Sequence, residues 1–224
     1  MSELQRVRIW DLPTRVFHAL LALAVVGAVV SAKIGGAAMA WHFRFGYLVF
    51  ALLLFRLLWG FLGGRWSRFA SFLHSPAVTL RYLRGRSSPA DAVDVGHSPL
   101  GALSVFAVLG VLAVQVATGL VGDDEIANVG PLNRLVSGAT GLAATAWHKG
   151  WGQWTILALV ALHVAAVAVY AWRGRNLVAP MVHGDKTLPA GTPGSDDARA
   201  MRLRALVLAL SSAVAVWAVV RLGG

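Results

Sequence analysis

Five stretches of about twenty apolar residues fill most of this 224-residue chain: Val16 to Ile34, Trp41 to Leu62, Leu100 to Val121, Trp147 to Trp172 and Leu203 to Leu222. Roughly 20 such residues in a helix cross about 30 Å of hydrocarbon. Inside lipid the backbone must satisfy its own hydrogen bonds, which suits runs like these to helices. With 57% hydrophobic and 13% charged residues, the chain is too apolar for an ordinary soluble domain of its length. The expectation is an all-α membrane protein. Arginines precede the first run, as in a secretory signal, but it lacks a small-residue cleavage site and carries His18, so it reads as a retained span.

There is no cysteine, which excludes disulfides, thiolate-held clusters and a covalently attached haem. The net charge of +10 is not that of a nucleic-acid binder, because the basic residues flank the spans. Arg6, Arg8 and Arg15, then Arg65, Arg68, Arg81, Arg84 and Arg86, then Arg173, Arg175, Lys186, Arg199, Arg202 and Arg204 fall on one side. Lys33, Arg44, Arg134, Lys149 and Arg221 fall on the other, with Asp123, Asp124 and Glu125. Fourteen against five predicts a cytoplasmic N-terminus and a periplasmic C-terminus in the bacterial inner membrane.

Between the spans, SPAVTLRYLRG in the connection Gly63 to Ser98 reads as a short helix in the headgroup region or as a basic solvated loop. PLNRLVSG in the connection Gly122 to Ala146 reads as a short covering helix. LPAGTPGSDDA, Leu188 to Ala198, reads as a flexible linker from its Pro, Gly and Asp content. The expected organisation is a four-helix transmembrane bundle over residues 1–186, a flexible cytoplasmic linker over 187–202, and a peripheral fifth helix over 203–224.

Four of the seven histidines, His18, His42, His148 and His163, lie within or at the ends of spans, whereas His74 and His183 read as loop residues. An imidazole in hydrocarbon needs a partner, so each is a functional-site candidate. His148 and His163 are fifteen residues apart, about 22 Å along a helix axis at 1.5 Å per residue. At about 100° per residue that spacing also brings both to a similar face. With the orientation above, His18 lies near the cytoplasmic side with His163, and His42 near the periplasmic side with His148. Two such pairs match two six-coordinate b-type haems, each with one axial imidazole above and one below the ring. A single helix-end histidine is more often an interfacial or helix-packing residue. A proton or metal relay is the other use of membrane histidines, but none of the five runs contains Asp or Glu.

Haem propionates are anionic and meet arginine or helix N-termini, which makes Arg15, Arg56 and Arg44 candidate contacts; snorkelling explains each equally well. His97, in GHSPLG, is either a propionate donor or a helix cap. Gly46, Gly60, Gly101, Gly110, Gly119, Gly150 and Gly152 could admit a porphyrin edge or serve ordinary close packing.

The segments RIWDLPTRVFH (Arg8 to His18), WHFRFGYLVFALLLFRLLWGFLG (Trp41 to Gly63), GHSPLGAL (Gly96 to Leu103), LVALHVAAV (Leu159 to Val167) and GRNLVAPMVHGDK (Gly174 to Lys186) resemble the bacterial cytochrome b561 family, which includes the cytochrome b anchors of nickel-iron hydrogenases. The resemblance implies a four-helix core with two non-covalent haem b groups. Its iron ligands would be His18 and His163 on the cytoplasmic side and His42 and His148 on the periplasmic side. Electrons would be exchanged with the quinone pool of a respiratory chain. The sequence departs from the family at the fourth helix, where the two histidines usually stand closer together and Glu rather than Lys149 follows the first. A local bulge, or a helix starting at His148, would absorb the extra length.

The leading reading is therefore a quinone-linked electron carrier serving a periplasmic redox partner such as a c-type cytochrome, with an enzymatic activity of its own left open. Superoxide oxidation coupled to ubiquinone and hydrogenase anchoring are alternatives within the same resemblance. A haem transporter or non-catalytic assembly subunit is an alternative outside it. Membrane lipid is an expected partner, a homo-oligomer is compatible with the sequence, and nucleic acid is not expected.

Overall fold

The computed structural model describes residues 3–88, 91, 93 and 95–223. The connection Gly63 to Ser98 therefore includes Pro89, Ala90, Ala92 and Asp94, which lie outside the described residues. Five candidate spans are present: Leu12–Ile34, Gly36–Leu62, Pro99–Val121, Gly138–Trp172 and Arg199–Arg221. They contain helices α1 (Leu12–Ile34), α2 (Met39–Leu62), α4 (Pro99–Val121), α5 (Gly138–Trp147) with α6 (Gln153–Trp172), and α8 (Arg199–Arg221). Shorter helices are α3 (Pro76–Leu83) and α7 (Val178–His183), and strands β1 (Leu4–Arg8) and β2 (Asp185–Pro189) form an antiparallel pair. The fold is that of an all-α multi-pass membrane protein. Large apolar side chains such as Leu23 and Leu162 are exposed along the spans, as helices solvated by lipid require.

Helix starts follow local chemistry. Asp11 accepts the Thr14 amide at 2.8 Å and caps α1, whose second residue is Pro13. Ser75 followed by Pro76 starts α3, so the SPAVTLRYLRG segment is helical. Ser98 followed by Pro99 starts α4, with the Gly101 amide donating to Ser98 Oγ at 3.2 Å. Ser98, not His97, is thus the cap at that end.

Three expectations about the connections are corrected. The fourth span starts at Gly138 rather than Trp147, because Ser137 caps α5 by accepting the Thr140 amide at 3.2 Å. PLNRLVSG contributes a single 3₁₀ turn at Asn133–Leu135 instead of a covering helix. The supposed flexible linker is tied down along its length. Leu188 and Pro189 pair with Gln5 and Leu4, Ser195 Oγ donates to the Ile9 carbonyl at 2.7 Å, and Asp197 accepts the Leu12 amide at 3.0 Å. Composition marked this stretch as turn-rich, but its partners lie nearly the whole chain away.

The chain forms two compact units. The first comprises Met1–Phe17, Arg56–Ala107 and Leu162–Leu206; the second comprises His18–Phe55, Val108–Ala161 and Val207–Gly224. In the first, Val7, Ile9 and Trp10 form a core with Trp66, Val95, Met181 and Leu188. Gly184 ends α7 at φ 95°, and its carbonyl accepts the Ile9 and Trp10 amides at 2.8 and 3.0 Å. A Cβ there would lie 2.6 Å from the Trp10 carbonyl oxygen, so glycine is required by both conformation and space.

Candidate functional site

Within the second unit, α2 presents His42 in its first turn, and the ring Nδ1 donates to the Ala28 carbonyl of α1 at 2.9 Å. His148, just past α5, has Nδ1 2.9 Å from the Gln115 carbonyl of α4 and 3.2 Å from Thr118 Oγ1. A carbonyl can only accept, so both imidazoles carry their hydrogen on Nδ1 and expose a lone pair on Nε2. The ring centroids are 5.9 Å apart with planes at 85°. Among the described residues, neither Nε2 makes a hydrogen bond.

His148 opens a π-helical turn, His148–Gly152, that joins α5 to α6. A π turn inserts an extra residue into the helix and frees a backbone carbonyl. Gln115 meets this turn from α4, its Nε2 donating to the His148 carbonyl at 3.2 Å. Gln115 therefore holds His148 twice, through its own carbonyl on the ring and through its amide on the backbone. Close approach depends on two glycines. A Cβ on Gly152 would stand 1.8 Å from the Trp147 ring and 2.0 Å from Gln115 Oε1, and one on Gly119 would stand 3.1 Å from His148 Cε1. The backbone kinks inside this turn at Gly150, whose φ and ψ of −95° and −110° are not helical, between His148 and the start of α6.

Beside this pair, Lys149 Nζ lies 3.7 Å from Asp124 Oδ2. Hydrogen bonds from the Asn128 side chain and from the Asn128, Ala127 and Ile126 amides hold the Asp124 carboxyl well below its ordinary range. Arg44 lies over the Trp41 ring at 4.7 Å.

In the first unit, Arg56 is 4% exposed, stacks over Phe69 at 4.7 Å, and its Nη1 has no hydrogen-bond acceptor among the described residues. Asp11 is the carboxylate whose charge reaches it. Arg15 donates to the Val182 carbonyl. His97 packs edge-on against Trp10 at 4.7 Å and tilted against Phe72 at 4.4 Å, and its carbonyl lies 3.0 Å from His74 Nε2. His183 is exposed at the end of α7. His18 on α1 and His163 on α6 are both exposed and fall in different units.

A family model described as prokaryotic cytochrome b561 matches residues 9–184. The chain belongs to that family. No curated protein and no solved structure matches the chain. Membership makes it a membrane b-type cytochrome of electron transfer that binds b-type haem. The residues fit such a group. Two imidazoles with ring centroids 5.9 Å apart, each with an unused Nε2, form a donor pair that would hold such a group. Each ring also donates its second nitrogen to a carbonyl, the usual support of a ligating histidine. No group of three or more candidate metal-binding side chains is assembled among the described residues, whereas axial haem ligation asks for two.

Sequence reasoning singled out the histidines and missed Gln115 and Thr118. The signal for Gln115 was present: it is an amide in the otherwise apolar α4.

Proposed function

We propose that this cytochrome binds two b haems and moves electrons across the membrane between the quinone pool and a periplasmic redox partner such as a c-type cytochrome. The observation that carries the reading is the His42 and His148 pair, two imidazoles anchored through Nδ1 with both Nε2 lone pairs uncommitted. His18 and His163 would hold the second haem, on the cytoplasmic side, and the N-terminus is cytoplasmic. The bound haem supplies one-electron exchange. The residues fix the two rings and their protonation and surround them with apolar helix faces. Arg56, with its buried Nη1 lacking an acceptor, is the leading propionate contact; Arg15 is a second, whereas Arg44 is stacked on Trp41 and His97 is wedged between aromatic rings.

Superoxide oxidation ranks below this reading, because Lys149, one of the basic residues on that side and the one next to His148, is already paired with Asp124. The test is haem content and reduced-minus-oxidised spectra of the purified protein, followed by reduction with quinol in proteoliposomes. Two low-spin haems per chain reduced by quinol are expected. A haem-free bundle overturns the haem assignment, and haems inert to quinol overturn the quinone link.

A further inference from the structure

We infer that a groove beside the end of α2 and the start of α8 binds the phosphate of an anionic phospholipid headgroup. The proposal is independent of the haem reading but rests on the proposed cytoplasmic N-terminus. The groove, about 370 Å³, is lined by Arg65, Arg68 and Arg204, with Phe61, Leu62 and Met201 among its apolar walls and Asp196 its one acidic residue.

Among the described residues, the three guanidinium groups have no carboxylate partner. Arg65 lies over the Trp66 ring at 6.0 Å, Arg204 donates to the Leu62 carbonyl at 3.4 Å, and Arg68 makes no ion pair among the described residues. Nearby acids are spent on other bases. Asp185 pairs with Arg6 and Arg8, Asp197 with Arg8 and Arg202, and Asp91 with Arg81. The Asp196 carboxylate accepts the Ala198 amide at 2.8 Å. Three positive charges against one carboxylate leave the groove with an excess of two, and guanidinium forks match a phosphate in geometry as well as charge.

Its place in the fold separates a lipid from a free anion. Phe61 and Leu62, 66% and 47% exposed, form the last turn of a candidate span, so acyl chains have an apolar surface directly beside the arginines. A basic pocket at the cytoplasmic ends of spanning helices is where the anionic lipids of that leaflet concentrate. Gly64 allows the path: a Cβ there would lie 2.4 Å from the buried Asp11 Oδ2, and this close passage starts the turn carrying Arg65.

The test is native mass spectrometry of the full-length holoprotein, exchanged into nanodiscs of phosphatidylglycerol or phosphatidylcholine, with inorganic phosphate as a separate arm. One retained phosphatidylglycerol per chain is expected. Its affinity should fall about a hundredfold in the R65Q/R68Q/R204Q variant, at roughly fivefold per arginine. The R84Q/R86Q/R173Q variant, equal in charge change, should retain it. Unchanged haem spectra in both variants establish that they fold. Equal retention of phosphatidylcholine, equal loss in both variants, or displacement by millimolar inorganic phosphate without a preference for lipid overturns the proposal.

Discussion

Two polar centres in this apolar chain use their hydrogen-bonding capacity in opposite ways. In the first unit the fully buried Asp11 is saturated. Its carboxylate accepts the Thr14 amide, Ser67 Oγ at 2.6 Å and Trp59 Nε1 at 3.2 Å, while Thr14 Oγ1 and Ser67 Oγ bond each other at 2.6 Å. In the second unit His42 and His148 each spend one nitrogen on a backbone carbonyl and leave the other uncommitted. A saturated buried group stabilises the fold, whereas a group held in place with an unused lone pair is prepared for something the chain itself does not supply. The contrast predicts which substitutions remove cofactor and which remove stability.

The largest effect belongs to the unsaturated centre. His42→Ala and His148→Ala should each halve the haem content per chain, read as haem per protein, with the fold retained by circular dichroism. If His148→Ala keeps both haems with unchanged spectra, the pairing with His42 is wrong. The saturated centre should respond in the reverse sense. Asp11→Ala removes the acceptor of three donors, of which Trp59 Nε1 and Ser67 Oγ keep Thr14 Oγ1 as a partner, and deprives the buried Arg56 of its nearby countercharge, a loss of about 3–5 kcal/mol. Denaturation in detergent should show that loss, while the spectrum of whatever folded protein remains is unchanged. A spectral shift in Asp11→Ala without loss of stability would erase the distinction between the two centres.

Much of the architecture was legible because lipid imposes a simple rule: an apolar run of spanning length must be a helix. All five spans were located, whereas SPAVTLRYLRG left a short helix and a basic loop equally open and is helical. What escaped depends on pairing across sequence distance. LPAGTPGSDDA has the composition of a linker, and nothing local shows that Ser195 and Asp197 would bond to residues 9 and 12. The apolar run alone starts the fourth span at Trp147, although Ser137 is an adequate cap for a helix beginning earlier. At the site, the imidazoles stood out as polar residues in apolar surroundings. Gln115 satisfies the same criterion and was overlooked, since an amide suggests no cofactor until its contacts with His148 are seen.

Gln115 offers a subtler way to probe the contrast, because it acts on the site through His148. Gln115→Leu keeps the ring's carbonyl acceptor, which belongs to the backbone, but removes the donor to the His148 carbonyl at the π turn. The haem held by His148 should then be retained, with its midpoint potential moved by about 20–60 mV, the equivalent of one ordinary hydrogen bond. The other haem should not respond. A redox titration resolving the two components makes the comparison, and identical shifts in both would show that Gln115 is a general packing residue.

The smallest effect concerns acid sensitivity in the first unit. Burial acts to raise the Asp197 carboxyl, but hydrogen bonds from Arg202 and the Leu12 amide and the charges of Arg202 and Arg8 outweigh it, so the group is held below its ordinary value of 3.8. A carboxyl lowered by folding contributes stability that is present above the unfolded value and is lost as pH falls through the folded one. Asp197→Asn should therefore reduce stability at neutral pH and flatten the decline in unfolding temperature from about pH 5 to pH 3. Haem spectra at neutral pH should be indifferent to the change, because Asp197 secures the start of α1 and the tied-down segment rather than either histidine of the second unit. Equal acid sensitivity in variant and parent would mean that the pairing with Arg8 and Arg202 adds nothing beyond the cap on Leu12, which an asparagine oxygen can also supply.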